Sequence, residues 1–201
     1  LDLKKITNSE SPEILIAGCG TGQHALTTAS KYQKSKILAL DLSFKSLSYA
    51  KRKANELKIN NIDFIQGDIL DLESIDRKFD IIESVGVLHH MDNPFKGWKI
   101  LTSCLNNDSL MLIGLYSEKA RQHIKEIKNK INKLKIQSTY KNIIKFRKDL
   151  IENNDDYWNY IKSSPDFYTV SGVRDLLFHV QEHRFTISKI KEYLDKLGLI
   201  F

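Results

Sequence analysis

The sequence has little cysteine and no long apolar run. Only two cysteines, Cys19 and Cys104, occur in 201 residues. They are too few for a disulfide framework, so we expect a reducing compartment and predict a cytoplasmic location. No apolar run approaches the roughly eighteen residues that cross a membrane, and the polar opening "LDLKKITNSESPE" is not typical of a signal peptide. We expect no membrane partner. Because the chain also begins without Met, we expect it to be part of a longer multidomain protein.

Acidic residues are scarce in one segment. From Lys119 to Lys148 there are eleven basic residues and one acid, Glu126, so this segment contributes +10 to a chain whose net charge is +6. Lysine-rich helices can follow a phosphate backbone, which suggests an RNA partner. The segment lacks an arginine–aromatic pattern for reading bases, and Lys, Ile and Asn are frequent throughout the chain. We therefore favour a solvated helix face and keep nucleic acid as the alternative.

Five short apolar runs alternate with amphipathic stretches in the first 116 residues. Continuous apolar runs of strand length are typical of parallel strands that are covered on both faces. Between the second and third runs, Ser43 is the predicted N-cap of a helix whose apolar face comprises Leu47, Ala50, Ala54 and Leu57. The alternation predicts an α/β fold with a doubly wound, mostly parallel sheet, in which ligands bind beyond the carboxyl ends of the strands. The predicted strands are 13–17, 36–43, 62–68, 79–86 and 109–117.

Residues 117–185 interrupt this alternation. They separate the fifth predicted strand from a closing helix by far more than an ordinary crossover, so we interpret them as an inserted helical cap. Within them, a helical stripe comprises Ile124, Ile127, Ile131 and Leu134. The predicted organisation is an α/β core in residues 1–116, a helical cap or lid after the fifth strand in 117–185, and a return to the core in 186–201.

The end of the chain predicts one helix and one strand. "TISKIKEYLDKL" is the closing helix, and Gly198 is placed to end it. We expect Leu199 to Phe201 to begin a sixth strand. A seventh strand would then come from a continuation of the chain or from another chain, or it has been lost by truncation, because an unpaired sheet edge invites association.

Glycine is sparse, with nine in the chain, yet three fall within five positions of "ILIAGCGTGQHA". Gly18, Gly20 and Gly22 lie between a predicted strand and a helical stretch, which suggests that a ligand lies against the main chain. A P-loop is excluded because Gln23 and His24 stand where it needs Lys and Ser or Thr. The G-x-G-x-x-G dinucleotide fingerprint does not fit either, since the third glycine is one position early.

Polar residues end the next three predicted strands in order. Asp41 ends the second strand, where a carboxylate can accept hydrogen bonds from both ribose hydroxyls. Asp68 ends the third strand, where it can accept from the exocyclic amine of adenine, and Glu83 and Ser84 end the fourth. Taken alone, either aspartate is more typical of a helix cap than of a ligand contact. The order of all these residues together favours a cofactor with an adenosine group.

These motifs resemble those of the class I S-adenosylmethionine-dependent methyltransferases. The resemblance covers residues 13–117 and rests on "ILIAGCGTG", "LALDLS", "FIQGDILDL" and "FDIIESVGVLHHM". The later passage "SGVRDLLFHVQEHRFT" resembles the cap of a bacterial subgroup that is often fused to tetratricopeptide repeats. The resemblance implies S-adenosyl-L-methionine as cofactor, bound by Ala17, Gly18, Cys19, Gly20, Gly22, Asp41, Leu42, Gly67, Asp68, Ile69, Glu83 and Ser84.

One residue departs from the family pattern. The family usually has an acid two residues before the first glycine, where it helps to orient the methionine end of the cofactor, and this chain has Ile16. We expect backbone carbonyls near Ala17 and Glu83 to compensate.

The resemblance implies methyl transfer to a small molecule or a protein side chain. It does not imply a particular catalytic residue, because this fold has no universal one. The sulfonium of the cofactor already activates the methyl group, so the enzyme mainly positions the acceptor. His89 or His90 is a candidate base or substrate contact, with His89 as a packed residue at the turn as the alternative. The candidate substrate pocket comprises His89, Tyr116, Arg174 and His179. The other functions considered are an RNA methyltransferase that uses the basic segment, and a non-catalytic module that binds the cofactor or a partner protein.

The segment "HVQEH" matches a zinc-peptidase signature, with His179 and His183 predicted one helical turn apart. No third ligand follows it in the remaining sequence, and the methyltransferase motifs account for the chain without zinc. We therefore predict no metal site. Instead, Arg174, His179, His183 and Arg184 line an acceptor pocket, or the passage is a structural helix with Leu176, Leu177 and Phe178 buried.

Overall fold

The structure, a computed structural model, describes residues 10–152, 160–179 and 181–201. The described residues form two compact units. The first unit runs to Leu115 and resumes at Ile187, and the second lies within residues 116–186. In sequence, the second unit is therefore an insertion into the first.

The first unit is built on a five-stranded sheet. Its strands are β1 (Glu13–Ala17), β2 (Lys36–Asp41), β3 (Ile62–Gln66), β4 (Phe79–Val85) and β5 (Leu105–Gly114). All neighbouring strands are parallel, and their order is β3-β2-β1-β4-β5. The chain moves outward from β1 to β3 and then crosses to β4, so the end of β1 lies at the topological switch point. The predicted doubly wound α/β fold is confirmed.

The principal α-helices are α1 (Gln23–Lys31), α2 (Phe44–Glu56), α3 (Pro94–Ser103), α4 (Gln122–Lys133), α5 (Tyr140–Glu152), α6 (Val170–Phe178) and α7 (Ile187–Leu197). Ser43 caps α2 as predicted, since its side chain accepts a hydrogen bond from the backbone nitrogen of Ser46 at 3.2 Å. Leu57, the last residue of the predicted apolar face, is 61% exposed because α2 ends at Glu56. In the part of the chain that the structure describes, no helix is long and apolar enough to cross a membrane.

Two apolar cores lie on opposite faces of the sheet. Alternate residues of β1 divide between them: Ile14 and Ile16 pack with α1 and α2, whereas Leu15 and Ala17 pack with α3 and α7. A strand that is covered on both faces needs apolar residues at every position. This explains why β1 has no polar residue after Glu13.

The second unit has an apolar core of its own. Ile124, Ile127 and Ile131 of α4 are buried in it together with residues of α5 and α6. Leu134, the fourth residue of the predicted stripe, is 59% exposed because α4 ends at Lys133.

The two ends of the second unit are hydrogen-bonded to each other. The backbone nitrogen of Phe185 donates to the carbonyl of Tyr116 at 2.8 Å, and the nitrogen of Glu118 donates to the carbonyl of Phe185 at 3.0 Å. The unit therefore begins and ends at the same place.

The predicted sixth strand at the end of the chain is wrong. Gly198 ends α7 in the left-handed region with φ +69°, as its sequence position predicted. The next nitrogen, of Leu199, donates to the carbonyl of Leu194 at 3.0 Å, which is the bond of a Schellman C-cap. This backbone therefore closes the helix and joins no strand, and Ile200 and Phe201 are fully exposed.

Candidate cofactor site

The sheet order brings the predicted cofactor residues to one edge. Asp68 follows β3, Asp41 ends β2, the glycine loop follows β1, and Glu83 lies near the end of β4. These four strands are consecutive neighbours in the sheet, and parallel strands all end at the same edge. Residues that are far apart in sequence thus form a row beyond the carboxyl ends of the strands.

The glycine loop is held against β2 by backbone hydrogen bonds. The nitrogens of Gly18 and Cys19 both donate to the carbonyl of Leu40, at 2.8 and 2.9 Å. The nitrogen of Gly20 donates to Oδ2 of Asp41 at 2.7 Å. The loop therefore keeps a fixed path between β1 and α1.

The three glycines are required for different reasons. All have positive φ, at +82° for Gly18, +53° for Gly20 and +85° for Gly22. A β-carbon on Gly18 would lie 2.2 Å from a methyl of Val87, and one on Gly22 would lie 2.6 Å from the β-carbon of Ala50. A β-carbon on Gly20 would meet no atom of the described residues within 4 Å, its chain neighbours aside. Protein packing thus accounts for two of the glycines, and only Gly20 faces open space.

Asp41 is occupied by the backbone on both oxygens. Besides the bond from Gly20 to Oδ2, the nitrogen of Ser43 donates to Oδ1 at 2.8 Å. Each carboxylate oxygen has further acceptor capacity, so these bonds orient the group without exhausting it. The neighbouring Leu42 is 66% exposed and presents an apolar surface beside the carboxylate.

Asp68 has the helix-cap role that the sequence left open as an alternative. Its Oδ1 accepts from the nitrogen of Leu70 at 2.9 Å and begins a 3₁₀ helix, Ile69–Ser74. Gly67 joins this segment to β2, since its nitrogen donates to the carbonyl of Asp41 at 3.1 Å. Ile69 is buried and anchors the turn.

Glu83 and Ser84 are buried polar residues of β4. Glu83 is 8% exposed, and its Oε2 accepts from the hydroxyl of Thr28 at 2.9 Å and lies 2.9 Å from Nε2 of His24. The hydroxyl of Ser84 is fully buried and has no hydrogen-bond partner among the described residues. Thr28 and His24 were not predicted from the sequence, although their spacing of four residues on α1 places them on one helix face.

The environment of Cys19 disfavours its thiolate form. Burial, together with the charge of Asp41, raises the pKa of Cys19 to about 12. A thiol with such a pKa stays protonated at neutral pH and is a poor nucleophile.

His89 and His90 form a short 3₁₀ helix, Leu88–His90, after β4. His89 is fully buried, whereas His90 is partly exposed, and the two ring centroids are 4.3 Å apart. The burial of His89 agrees with its interpretation as a packed residue at the turn.

The predicted substrate residues are divided between the two units. His89 belongs to the first, and Tyr116, Arg174 and His179 belong to the second. The guanidinium of Arg121 lies 3.6 Å above the centre of the Tyr116 ring, and burial raises the pKa of this tyrosine. Arg174 is exposed on α6, and His179 follows that helix directly.

The interpretation of His179 and His183 as a helical pair is wrong. Helix α6 ends at Phe178, so these two histidines are not separated by a helical turn. Leu176 and Leu177 are buried, as the structural alternative predicted, while Phe178 is partly exposed. The intervening Val180 lies outside the described residues.

A buried ion cluster in the second unit was not predicted. The carboxylate of Glu182 is 3% exposed and lies 2.9 Å from Arg121 and 2.9 Å from Lys128. Burial would raise the pKa of Glu182, but the hydrogen bonds from these two cations outweigh it and lower the pKa to about 2. Arg184 adds a hydrogen bond of 3.0 Å to Glu118. Charged residues near the two ends of the second unit are thus joined to one another.

A family model described as a methyltransferase domain matches residues 9–164. The chain belongs to this family. It is a class I S-adenosylmethionine-dependent methyltransferase domain, and the cofactor predicted from the four motifs is confirmed.

Known relatives extend the comparison. An uncharacterised protein of Synechococcus is 26% identical over 94% of this chain and 48% of its own length. The probable (S)-tetrahydroprotoberberine N-methyltransferase 2 of Papaver bracteatum is 32% identical over 56% of this chain and 31% of its own length. The chain thus spans about half the length of these curated relatives, or less.

Solved structures show the same fold. PKMT2 from Rickettsia typhi in complex with AdoHcy superimposes with a TM-score of 0.71, covering 92% of this chain and 38% of that protein at 23% identity.

The described residues fit the cofactor. The open space over Gly20 gives the main chain room for a ligand, and the carboxylate of Asp41 is held rigidly beside that space. Exposed Leu42 supplies an apolar surface next to it. A ligand that carries a ribose and an aromatic base suits this combination.

Proposed function

We propose that this chain binds S-adenosylmethionine along the carboxyl ends of β1 to β4 and positions an acceptor, a small molecule or a protein side chain, for methylation. The observation that carries the proposal is the row of Asp68, Asp41, the glycine loop and Glu83 on four neighbouring strands. In this arrangement Asp41 accepts hydrogen bonds from the ribose hydroxyls, and Asp68 accepts a hydrogen bond from the exocyclic amine of the adenine. The backbone around Gly20 lies against the central part of the cofactor.

The chemistry needs position more than it needs a catalytic side chain. When bound, S-adenosylmethionine supplies a methyl group that its sulfonium has already activated. The hydrogen bonds from Gly20 and Ser43 fix the Asp41 carboxylate before any ligand arrives, which reduces the entropy lost on binding. His90, partly exposed after β4, remains the candidate for a base, because an ammonium acceptor must lose its proton before it can react.

The relatives differ in the acceptors that their names imply. Relatives that match part of this chain include an N-methyltransferase named for an alkaloid and a release factor glutamine methyltransferase of Flavobacterium psychrophilum, which is 35% identical over 40% of this chain. Their names imply a small molecule in one case and a protein side chain in the other. We propose that residues 116–186 select the acceptor, with Tyr116, Arg174 and His179 as candidate contacts.

Nucleic acid is the less supported acceptor. Of the eleven basic residues from Lys119 to Lys148, eight are exposed, as in a solvated helix face. Arg121 and Lys128 are engaged by Glu182, and Arg147 donates to the carbonyl of Tyr168 at 3.1 Å. The least exposed cations therefore have partners within the second unit.

Two experiments test the proposal. Calorimetry on the intact 201-residue chain should show binding of S-adenosylmethionine and of S-adenosylhomocysteine, and absence of binding to both would defeat it. A transfer assay with tritiated cofactor and cell extract then identifies the acceptor class. Parallel extracts are treated with protease, treated with ribonuclease or passed through a small-pore filter, and the Asp41→Ala variant serves as the control. Loss of labelling only after ribonuclease treatment would favour the RNA alternative.

We further propose that the domain acts as part of a longer cytoplasmic protein. Support comes from its coverage of only 48% of the Synechococcus relative. Both cysteines are free and buried, which suits a reducing compartment. The reading frame of the complete gene tests the first point, and fractionation of cells tests the second.

A further inference from the structure

The carboxylate of Glu83 is buried, and no lysine or arginine among the described residues forms an ion pair with it. Its side chain is 10% exposed, and its contacts with the described residues are the hydroxyl of Thr28 and the imidazole of His24, each 2.9 Å from Oε2. The other oxygen, Oε1, accepts no hydrogen bond from the described residues. Burial of a carboxylate is costly unless a cation and hydrogen bonds compensate it. A ligand that brings a positive charge would supply what the protein leaves out.

The location of Glu83 points to that ligand. Glu83 is paired in register with Ile16, two residues before Gly18, so its side chain lies beside β1 just below the glycine loop. Ile16 packs in the core with α1, and Thr28 and His24 both belong to α1. Side chains in register on neighbouring strands lie on one face of the sheet. Glu83 therefore places a carboxylate on the face, and at the level, where Ile16 supplies none.

We propose that the side chain of Glu83 binds the α-ammonium group of S-adenosylmethionine, and that His24 and Thr28 are positioning residues that hold its carboxylate. This inference rests on the proposed cofactor site. It replaces the expectation that backbone carbonyls alone compensate for Ile16. The bonds to Thr28 and His24 both go to Oε2, so Oε1 is left to receive the cation.

The test compares two ligands that differ in the amino acid portion. S-adenosylhomocysteine carries the α-ammonium group, whereas 5′-methylthioadenosine keeps the adenosine and the sulfur but lacks the amino acid. Calorimetry on the intact chain should show that Glu83→Gln weakens S-adenosylhomocysteine about ten- to hundred-fold, the usual effect of removing a charged hydrogen-bond partner. Its affinity for 5′-methylthioadenosine should change less than about two-fold, which also shows that the variant is folded. The matched control, Asp41→Ala, should weaken both ligands.

The positioning role of His24 has its own readout. His24→Leu should lower the affinity for S-adenosylhomocysteine alone, by about three- to ten-fold, and His24→Gln should restore it because an amide nitrogen can also donate to Oε2. In the Glu83→Gln background, His24→Leu should add nothing, since two residues that act through one contact are not additive.

Three results would overturn the inference. Glu83→Gln could keep the wild-type ratio of the two affinities, or it could lose both ligands equally, which would indicate damage to the fold. His24→Leu could leave the ratio unchanged while lowering stability, which would make His24 a simple counter-ion. Failure of the wild-type chain to bind either ligand would instead defeat the proposed function, so the two failures are distinguishable.

Discussion

Asp41 and Gly20 are joined by a hydrogen bond of 2.7 Å, from the backbone nitrogen of the glycine to Oδ2 of the carboxylate. The residue proposed to bind the ribose is therefore also a support of the glycine loop. Its other oxygen accepts from Ser43, the N-cap of α2. A change at Asp41 must be measured both in ligand affinity and in stability.

Asp41→Ala should weaken S-adenosylhomocysteine by about 1.5–3 kcal/mol, or roughly ten- to hundred-fold. It should also lower the free energy of unfolding by about 1–2 kcal/mol, because the nitrogens of Gly20 and Ser43 lose their acceptor. Calorimetry and urea unfolding measure the two effects. Ser43→Ala is the matched control: it should lose about 1 kcal/mol of stability with the cap and keep its affinity. An Asp41→Ala protein that binds as tightly as the wild type would show that the ribose site is misassigned.

Asp68→Ala should weaken the cofactor less than Asp41→Ala, because one acceptor to the adenine is lost. It should also destabilise the protein by about 1 kcal/mol through loss of the cap on Leu70. Asp68→Ser separates the two effects, since serine can cap the turn but is too short to replace the carboxylate. We expect stability near that of the wild type and the reduced affinity of the alanine variant. Full affinity in both variants would leave Asp68 as a cap alone.

Substitutions of two glycines in the loop should have opposite profiles. Gly22→Ala should destabilise the protein by about 2–4 kcal/mol, because its β-carbon would meet Ala50 and its φ is positive. Gly20→Ala meets no protein atom and should lose only about 1–2 kcal/mol through backbone strain. Its main effect should be on cofactor affinity, because the methyl group would enter the space assigned to the ligand. Thermal unfolding and calorimetry on both variants test the contrast, which fails if Gly20→Ala binds normally.

Glu182→Gln should destabilise the second unit in a pH-dependent manner. The pKa of Glu182 is lowered from 4.5 to about 2 in the folded state, so its charge stabilises the fold above about pH 4.5, and this stabilisation is lost as the pH falls toward 2. The variant should therefore be about 3 kcal/mol less stable than the wild type at pH 7, and the difference should shrink at pH 3. Urea unfolding at both pH values measures it, with the exposed Glu152→Gln as a control. An equal difference at the two pH values would contradict the assignment.

The first four strands could be predicted closely because each is a local apolar signal, whereas β5 begins at Leu105, four residues before its predicted start, because its first residues include the polar Asn106, Asn107 and Asp108. β1 and β2 are covered on both faces, so their apolar residues run without interruption, and the acid at the end of β2 marks its boundary. The row of Asp41, Asp68 and Glu83 then follows from the general rule that parallel strands end at one edge. Little knowledge of the packing is needed for this part of the site.

The features of the site that could not be predicted depend on contacts between residues far apart in sequence. The bond from Thr28 to Glu83 requires the register of Ile16 against Glu83, which no local pattern encodes. Gly22 is explained only by the approach of Ala50 from another helix. The prediction of a sixth strand failed for a local reason. The C-cap at Gly198 engages the backbone nitrogen of Leu199 with the helix, so this nitrogen is not available to a strand.

Phe185 pairs with Tyr116 and Glu118, which closes the second unit at its base. For the rest of the chain, an insertion closed in this manner is equivalent to a tight bend, however many residues it contains. Its helices can be lengthened, shortened or exchanged between proteins without disturbing the register of the sheet. Under the proposed division of roles, in which the second unit selects the acceptor, a change of acceptor would alter this unit and leave the cofactor site intact.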